Sequence, residues 1–238
     1  MKQTKLFLLG AAILMLATSC KDLLESISKN PVFTFSGTTV YDGQKAFLGT
    51  TANCKIGWET DSPKIVSLSY NKETGKECVA TFKLPETAKK VTTVKITATN
   101  LDDKTVEPHV GEITVAPWKV VVYKKGSDNS WKKVDVTSSS FLTTSFSYNA
   151  SGNGPGTYKL QIEYLDKDNN FKPITSIPYN LGKLENFKVR WSGKLGNIGD
   201  TTEEVCSKEI ELPSLPASGS RMVAVYIGEV GHVVTLTN

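Results

Sequence analysis

The chain has 238 residues, of which 39% are apolar and 22% are charged. This composition excludes a disordered tail and a polytopic membrane protein, and it allows one large domain or two of moderate size. The 28 basic and 24 acidic residues give a formal net charge of +4, and the only adjacent basic pairs are Lys89-Lys90, Lys124-Lys125 and Lys132-Lys133. We therefore expect no binding to nucleic acid through clustered cations.

The N-terminus has the pattern of an export signal. Lys2 and Lys5 precede an apolar run over residues 6–17, and small residues then lead to Cys20. The run is shorter than the ~20 apolar residues that a membrane-spanning helix needs. We predict a signal peptide over residues 1–19 and no transmembrane helix in the mature chain.

The residues around the predicted cleavage site indicate a lipid anchor. Ala17-Thr18-Ser19-Cys20 resembles the lipobox of bacterial lipoproteins, with Leu16 one place earlier than the leucine of the usual pattern. This resemblance implies a diacylglycerol on the sulfur of Cys20 and a tether over residues 20–30. Asp22 and Glu25 are similar to the acidic export signals of surface lipoproteins in gram-negative gut anaerobes. The expected location is the outer membrane of the cell envelope, with surface exposure; the alternative is an ordinary secretory signal with an incidental cysteine.

After Pro31 the pattern is that of β-strands almost throughout. Short runs rich in Val, Ile, Thr, Phe and Tyr alternate with turn clusters such as Asp42-Gly43 and Asp102-Asp103. Closely spaced strands without intervening helices are typical of antiparallel sandwiches. We predict an all-β chain with two tandem antiparallel β-sandwich (Ig-like) domains over residues 31–117 and 118–238.

The first predicted domain has a resemblance of its own. The segments Lys55–Leu68, Val79–Phe82 and Val94–Asn100 resemble the bacterial Ig-like domains, in which a tryptophan-containing strand precedes an apolar alternation and a closing Thr- and Ile-rich strand. The short glycine-led turn of that family is replaced by the longer connection from Asn71 to Cys78. Trp58 is predicted to be a core tryptophan of this sandwich, because buried aromatic residues dominate such cores; a ligand-stacking ring is the alternative.

The second predicted domain begins with a hairpin. Trp118–Tyr123 and Trp131–Val136 flank a polar turn, and the alternation from Tyr158 to Tyr164 predicts a strand with one apolar face. The segment Gly156-Thr157-Tyr158 is similar to the Gly-x-Tyr strand of fibronectin-like sandwiches, in which the tyrosine braces a corner. Four later strands are predicted, at Phe187–Trp191, Ser207–Leu212, Met222–Ile227 and His232–Leu236.

Three cysteines remain after Cys20. Cys54 and Cys78 lie in one predicted domain at a separation that a sandwich could bridge, so a disulfide between them and two buried free thiols are both open. Cys206 then has no partner. Glu203 and Glu204 beside it disfavour the electropositive setting that a nucleophilic cysteine needs.

Catalytic and metal-binding motifs are scarce. His109 and His232 are the only histidines, and neither has a metal-ligand spacing. Glu209 and Glu211 flank one residue of a predicted strand and should share a face, which keeps a small glycoside hydrolase open as a less favoured alternative. We expect no enzyme, no metal and no cofactor.

Aromatic side chains carry the functional prediction. Trp131 lies beside a turn and before two lysines, and Tyr123 is expected to face it across the hairpin. Sugar rings stack on exposed aromatic rings because their axial C–H faces are apolar, although a cross-strand packing role is the alternative. We predict a membrane-anchored, non-catalytic binding module for a glycan or a protein partner; the alternative is a structural or adhesion subunit.

Overall fold

A computed structural model describes residues 29–33, 38–50, 52–147, 153–175, 189–193, 200–203, 205–212 and 221–237. Regular structure in these ranges is almost entirely β, which confirms the predicted fold class. The strands are β1 (Thr38–Tyr41), β2 (Lys45–Leu48), β3 (Ile56–Thr60), β4 (Val66–Ser69), β5 (Cys78–Phe82), β6 (Thr92–Asn100), β7 (His109–Ala116), β8 (Trp118–Lys125), β9 (Trp131–Lys133), β10 (Ser138–Ser139), β11 (Thr143–Ser147), β12 (Gly156–Leu165), β13 (Phe171–Pro173), β14 (Val189–Gly193), β15 (Thr201–Glu203), β16 (Ser207–Leu212), β17 (Arg221–Ile227) and β18 (Val230–Thr237).

One short 3₁₀ helix, Glu86–Ala88, follows β5. The described ranges contain no helix that is long and apolar enough to cross a membrane. The predicted signal peptide, Cys20 and most of the tether lie outside the described residues.

The first sandwich consists of two sheets with the strand orders β1-β7-β6-β3 and β2-β5-β4. Strand β6 shows why these segments form a sheet. Its β-branched residues suit the extended backbone, and its alternation buries Val94, Ile96 and Ala98 while the intervening side chains face outward. Buried residues from both sheets form one core: Phe33, Val40, Ala46, Leu48, Ala52, Ile56, Trp58, Val66, Cys78, Ala80, Phe82, Leu84, Val94, Ile96, Ala98, Ile113 and Val115.

The second sandwich has a sheet with the order β10-β11-β18-β17-β14-β15 and a second with the order β13-β12-β8-β9, in which β16 also pairs with β12. The hairpin of β8 and β9 and the predicted alternation of β12 are confirmed. The core that the two sheets enclose contains Tyr41, Ala116, Trp118, Val120, Val122, Val134, Phe146, Tyr158, Leu160, Ile162, Ile174, Val189, Trp191, Ile210, Leu212, Val223, Val225, Ile227, Val230, Val234 and Leu236.

Among the strands that the structure describes, two pairings differ from a purely antiparallel arrangement. Strand β1 pairs with β7, and β11 pairs with β18, in parallel. Partners so far apart in sequence are joined by no hairpin, so the residue pattern of either strand alone does not predict them. Of the later predicted strands, Ser207–Leu212 agrees with β16 to the residue, whereas Phe187 lies outside the described residues.

Trp58 is a core residue, as predicted. Its ring is buried against Phe33, and its Nε1 donates a hydrogen bond of 2.6 Å to the carbonyl oxygen of Gly75. Gly75 belongs to the connection that replaces the usual short turn, and it has a φ of +70°. The long connection thus supplies the acceptor for the buried indole.

Tyr158 braces a corner in the way that its sequence context predicts. The ring is fully buried, and the hydroxyl donates a hydrogen bond of 2.7 Å to the carbonyl oxygen of Gly154, four residues earlier. This bond holds the start of β12 in place.

Cys54 and Cys78, the candidate disulfide pair, are both free thiols in the structure. Cys78 points into the first core from β5, whereas Cys54 lies just before β3 in the opposite sheet, with its Sγ 3.9 Å from the carbonyl oxygen of Lys29. Burial raises the pKa of Cys78 to about 12 and that of Cys206 to about 11. Both are therefore protonated thiols at neutral pH.

Candidate binding face on the second sandwich

Trp131 and Tyr123 lie on the same outer face of the sheet formed by β9, β8 and β12. In the register, Trp131 is opposite Lys125, and Tyr123 is opposite Lys133 on one side and Lys159 on the other. Directly paired residues of antiparallel strands project to one face, so all five side chains share it. The two aromatic residues are diagonal neighbours and not the direct cross-strand pair that the sequence predicts. We call these five residues the aromatic face.

Lys159 lies between the two rings. Its Nζ is 5.2 Å from the ring centroid of Tyr123 and 4.8 Å from that of Trp131. Lys125 approaches the same indole, with its Nζ 5.9 Å from the ring centroid. Cations at these distances are attracted by the ring quadrupole, so the lysines stabilise the observed positions of both half-buried rings by about 0.5 to 1 kcal/mol per contact.

The hydroxyl of Tyr123 is fixed as well. It donates a short hydrogen bond to Oε1 of Glu163, a buried residue on the same face of β12. Burial and this carboxylate raise the pKa of Tyr123 to about 12. The phenol therefore stays neutral. The backbone holds one end of the Tyr123 side chain and the hydrogen bond to Glu163 holds the other, while the ring remains partly exposed.

The face continues toward a second aromatic group. Lys119 places its Nζ 3.9 Å from the ring centroid of Phe171, and the Phe171 ring lies 5.9 Å from that of Phe141. Burial and the neighbouring Lys133 lower the pKa of Lys119, and Glu163 opposes this shift. Rings and cations thus alternate from β9 across the sheet to β13.

Glu209 and Glu211 share a face of β16, as predicted, but they lie on open solvent. Glu209 is opposite Lys159 in the register, and Glu211 accepts a hydrogen bond of 2.7 Å from the hydroxyl of Thr157. A glycoside hydrolase places its two catalytic acids on either side of the bond that it cleaves. Glu209 and Glu211 instead project side by side from one strand toward solvent.

The ring nitrogens of both histidines lie close to backbone carbonyl or hydroxyl oxygens. His232 is buried in the second sandwich, with Nδ1 3.2 Å from the carbonyl oxygen of Phe141 and Nε2 3.0 Å from the hydroxyl oxygen of Thr144. His109 places its Nε2 3.0 Å from the carbonyl oxygen of Phe33. Within the ranges that the structure covers, His, Cys, Asp and Glu form no group of three that could hold a metal ion.

Sequence reasoning found the two rings but missed Lys159 and Glu163. The alternation of β12 places both residues on its polar face, yet it does not say which strand lies beside them. The pairing of β12 with β8 joins residues about 40 positions apart, and only the folded sheet brings them together. A register assigned to the hairpin would have found Lys125 beside Trp131.

No protein-family model and no curated protein matches this chain. Among solved structures, the D00-D0 domain of Intimin is similar with 12% identity and a TM-score of 0.27, over 86% of this chain and 94% of that chain. An endo-fucoidan hydrolase from glycoside hydrolase family 107 is similar with 11% identity and a TM-score of 0.25, over 87% of this chain and 33% of that chain. At such TM-scores neither similarity carries an argument about function.

Proposed function

We propose that this chain is a non-catalytic glycan-binding module of the bacterial cell envelope. A lipid on Cys20 holds it at the outer membrane with its sandwiches exposed at the cell surface, and the aromatic face binds the ligand. The observation that carries this proposal is that Trp131 and Tyr123 lie on one outer sheet face with Lys159 between them.

The physical argument rests on rigidity. A sugar ring presents an apolar C–H face that packs on an aromatic ring, and the entropy lost on binding is smaller when the ring is already fixed. Tyr123 is fixed by Glu163, and Trp131 is held by Lys125 and Lys159. Lysine side chains also supply hydrogen-bond donors for sugar hydroxyls.

The adhesion alternative requires a sheet edge that accepts a strand from a neighbouring subunit. The edge strands in the described ranges are only two to six residues long, and β9, at the edge of the aromatic face, has three. Short edges offer few backbone hydrogen bonds to an incoming strand. The geometry therefore favours recognition by side chains.

The test is affinity electrophoresis of the full chain in nonionic detergent, through gels that contain a neutral polysaccharide (dextran) or an anionic one (polygalacturonate or dextran sulfate). We expect at least one polymer to retard the chain. Trp131→Ala should weaken the apparent affinity about tenfold or more, because a stacked ring contributes about 1 to 3 kcal/mol to comparable contacts.

Tyr226→Ala provides the matched control. Tyr226 is a half-buried aromatic residue of β17 in the other sheet, and the guanidinium of Arg190 lies 3.9 Å from its ring centroid. This variant should retain the wild-type retardation. Equal retardation of the wild type and Trp131→Ala by every retarding polymer would contradict the assigned face.

The anchor is tested separately. Mass spectrometry of the mature chain should give the mass of a product that begins at Cys20 and carries fatty acyl chains. The Cys20→Ser variant should lack this modification and should leave the membrane fraction, because the acyl chains supply the membrane affinity. An unmodified mature wild-type chain in the soluble fraction would refute the anchor.

A further inference from the structure

A cleft of about 440 Å³ lies between the two sandwiches. One wall is the segment of the first sandwich that contains the short 3₁₀ helix, and the other wall is the connection between β10 and β11 of the second. The first wall presents Glu86, Thr87 and Lys90, and the second presents Ser140, Phe141 and Leu142. Binding sites for small ligands commonly have this size and commonly lie between domains.

Buried polar contacts fix both walls of the cleft. On the first wall, the Nζ of Lys89 lies 2.6 Å from the carboxylate of Asp42, and both side chains are buried. On the second wall, the carbonyl oxygen of Phe141 lies 3.2 Å from Nδ1 of the buried His232. Walls that are already ordered lose little conformational entropy when a ligand fills the cleft.

The lining of the cleft combines apolar and polar groups. Phe141 contributes a half-buried ring and Leu142 an exposed aliphatic side chain. The exposed residues Glu86, Thr87 and Lys90 add a carboxylate, a hydroxyl and an ammonium group. A sugar has an apolar C–H face and hydroxyl groups around its edge that donate and accept hydrogen bonds. The lining therefore offers partners for both parts of a sugar residue.

The ring of Phe141 connects the cleft to the sheet that carries the aromatic face. Its centroid lies 5.9 Å from that of the Phe171 ring. Phe171 on β13 is opposite Leu165, which follows Glu163 by two residues on β12. Paired residues and alternate residues of a strand project to one face of a sheet, so Phe171 shares the face of Glu163. This is the outer face on which the aromatic face lies.

The cleft and Trp131 lie at opposite ends of this outer face. Trp131 is opposite Lys125 at the end of β8, whereas Lys119, near the start of β8, places its Nζ 3.9 Å from the ring centroid of Phe171. The two lysines are six positions apart, which is about 20 Å at ~3.3 Å per residue of strand. A ligand that contacts both Trp131 and the cleft must therefore contain several linked sugar residues.

We propose that the cleft is a second sugar subsite, and that the ligand is a stretch of linear polysaccharide that reaches from Trp131 to the cleft. This inference rests on the proposed function and narrows its ligand to a chain of several linked sugar residues. When one sugar packs on Trp131, the sugars linked to it are present at the cleft at a high effective concentration. A short oligosaccharide occupies only one subsite at a time.

The test uses oligosaccharides cut from whichever of dextran, polygalacturonate and dextran sulfate retards the full chain most, separated by length from the disaccharide upward. The indole N–H signal of Trp131, followed by NMR in nonionic detergent, gives a dissociation constant for each length. The affinity of the wild type should rise about tenfold or more from the disaccharide to the longest fraction. Phe141→Ala should remove this gain and leave the affinity of Trp131 for the disaccharide unchanged.

Thr87→Met is a second cleft variant. Thr87 is exposed, so the longer side chain takes up part of the cleft without entering a core, and the gain with length should fall. Two variants outside the cleft and the aromatic face are the matched controls. Tyr226→Ala truncates a half-buried aromatic residue of β17, and Thr93→Met enlarges an exposed threonine of β6. Both controls should keep the gain of the wild type.

The inference is overturned if the wild type binds every length with equal affinity. It is also overturned if Phe141→Ala keeps the gain, or if Thr87→Met keeps it should Phe141→Ala fail to fold, because the gain would then come from the number of binding registers along a longer chain. In these cases a loss of binding in Trp131→Ala would still support the proposed function. Failure of the wild type to bind any of the polysaccharides would overturn the proposed function as well.

Discussion

Asp42 shows how much one side chain can determine at the contact between the two sandwiches. Its carboxylate accepts hydrogen bonds from the backbone N–H of Leu84 at 2.8 Å and from Nζ of Lys89 at 2.6 Å. The side chains of this ion pair are only 1% and 4% exposed. The backbone carbonyl oxygen of Asp42 accepts a hydrogen bond of 2.8 Å from the indole N–H of Trp118, in the second sandwich.

Asp42→Ala should lower the free energy of unfolding by about 3 to 5 kcal/mol, because it leaves the Lys89 ammonium buried without its partner. Urea denaturation measures this loss. The control is Glu112→Ala, which removes an ion pair of 3.4 Å with Lys95 whose side chains are 54% and 55% exposed. That change should cost less than about 1 kcal/mol. Similar costs for both variants would contradict the burial of the Asp42 pair.

His232 gives the protein a defined dependence on pH. Burial lowers its pKa from 6.5 to about 4, and the positive charges of Lys119 and Lys89 act in the same direction. The neutral ring therefore stabilises the folded state fully above pH 6.5, and this contribution is lost as the pH falls toward 4. The loss amounts to about 3 kcal/mol at 1.36 kcal/mol per pKa unit.

The prediction is tested by urea denaturation at pH 7 and pH 4 of the wild type and of His232→Gln. The wild type should lose about 3 kcal/mol more stability over this interval than the variant, because the variant lacks the titrating ring. A His232→Gln variant with the wild-type pH dependence would show that the ring does not titrate in this way.

At the scale of elements, the connection from Asn71 to Cys78 fixes the position of β3. The carbonyl oxygen of Gly75 accepts the Trp58 indole, and a Cβ at Gly75 would lie 1.8 Å from the carbonyl oxygen of Ile56. A side chain at position 75 would therefore force the backbone of Ile56 to move. The turn, the strand and the buried indole therefore depend on one glycine.

Gly75→Ala should destabilise the protein by about 2 to 3 kcal/mol or more, because it combines a left-handed φ with a backbone collision. The midpoint of urea unfolding measures the effect. Gly49→Ala is the matched control, since no atom lies within 4 Å of its Cβ position. It should be within about 0.5 kcal/mol of the wild type. Equal midpoints for the two variants would mean that the turn does not have this conformation.

The alternation of residues within a segment predicted the individual strands better than it predicted which strands pair with each other. The alternation of β12 and the extent of β16 follow from the period of two that a half-buried strand imposes on its sequence. The parallel pairing of β11 with β18 joins Thr143 to Val233, and no local pattern determines such a contact. For the same reason the sequence identified Trp131 and Tyr123 but neither Lys159 nor Glu163 as their neighbours.

At the scale of the whole molecule, the two sandwiches are joined by buried groups. Tyr41 ends β1 in the first sandwich, yet its ring packs in the second core beside Tyr164. A Cβ at Gly43 would lie 2.1 Å from the carbonyl oxygen of Ile227, so the two backbones are in close contact there. Separating the sandwiches would expose these groups to water.

We therefore expect the two sandwiches to unfold together. Calorimetry of the full chain should show one transition whose van't Hoff and calorimetric enthalpies agree. Gly43→Ala should split it into two transitions, because its Cβ cannot fit against Ile227. Gly49→Ala again provides the control. Two separate transitions in the wild type would show that the contact is too weak to link the sandwiches.

The most direct test of the binding face follows the four indole N–H signals of tryptophan by NMR. Trp58, Trp118 and Trp191 are buried, whereas Trp131 is only half-buried on the aromatic face. The probe is an oligosaccharide cut from whichever of dextran, polygalacturonate and dextran sulfate retards the full chain most. The Trp131 signal should shift to saturation while the other three stay within the line width. A Trp131 signal that does not move at saturating oligosaccharide would contradict the proposed site.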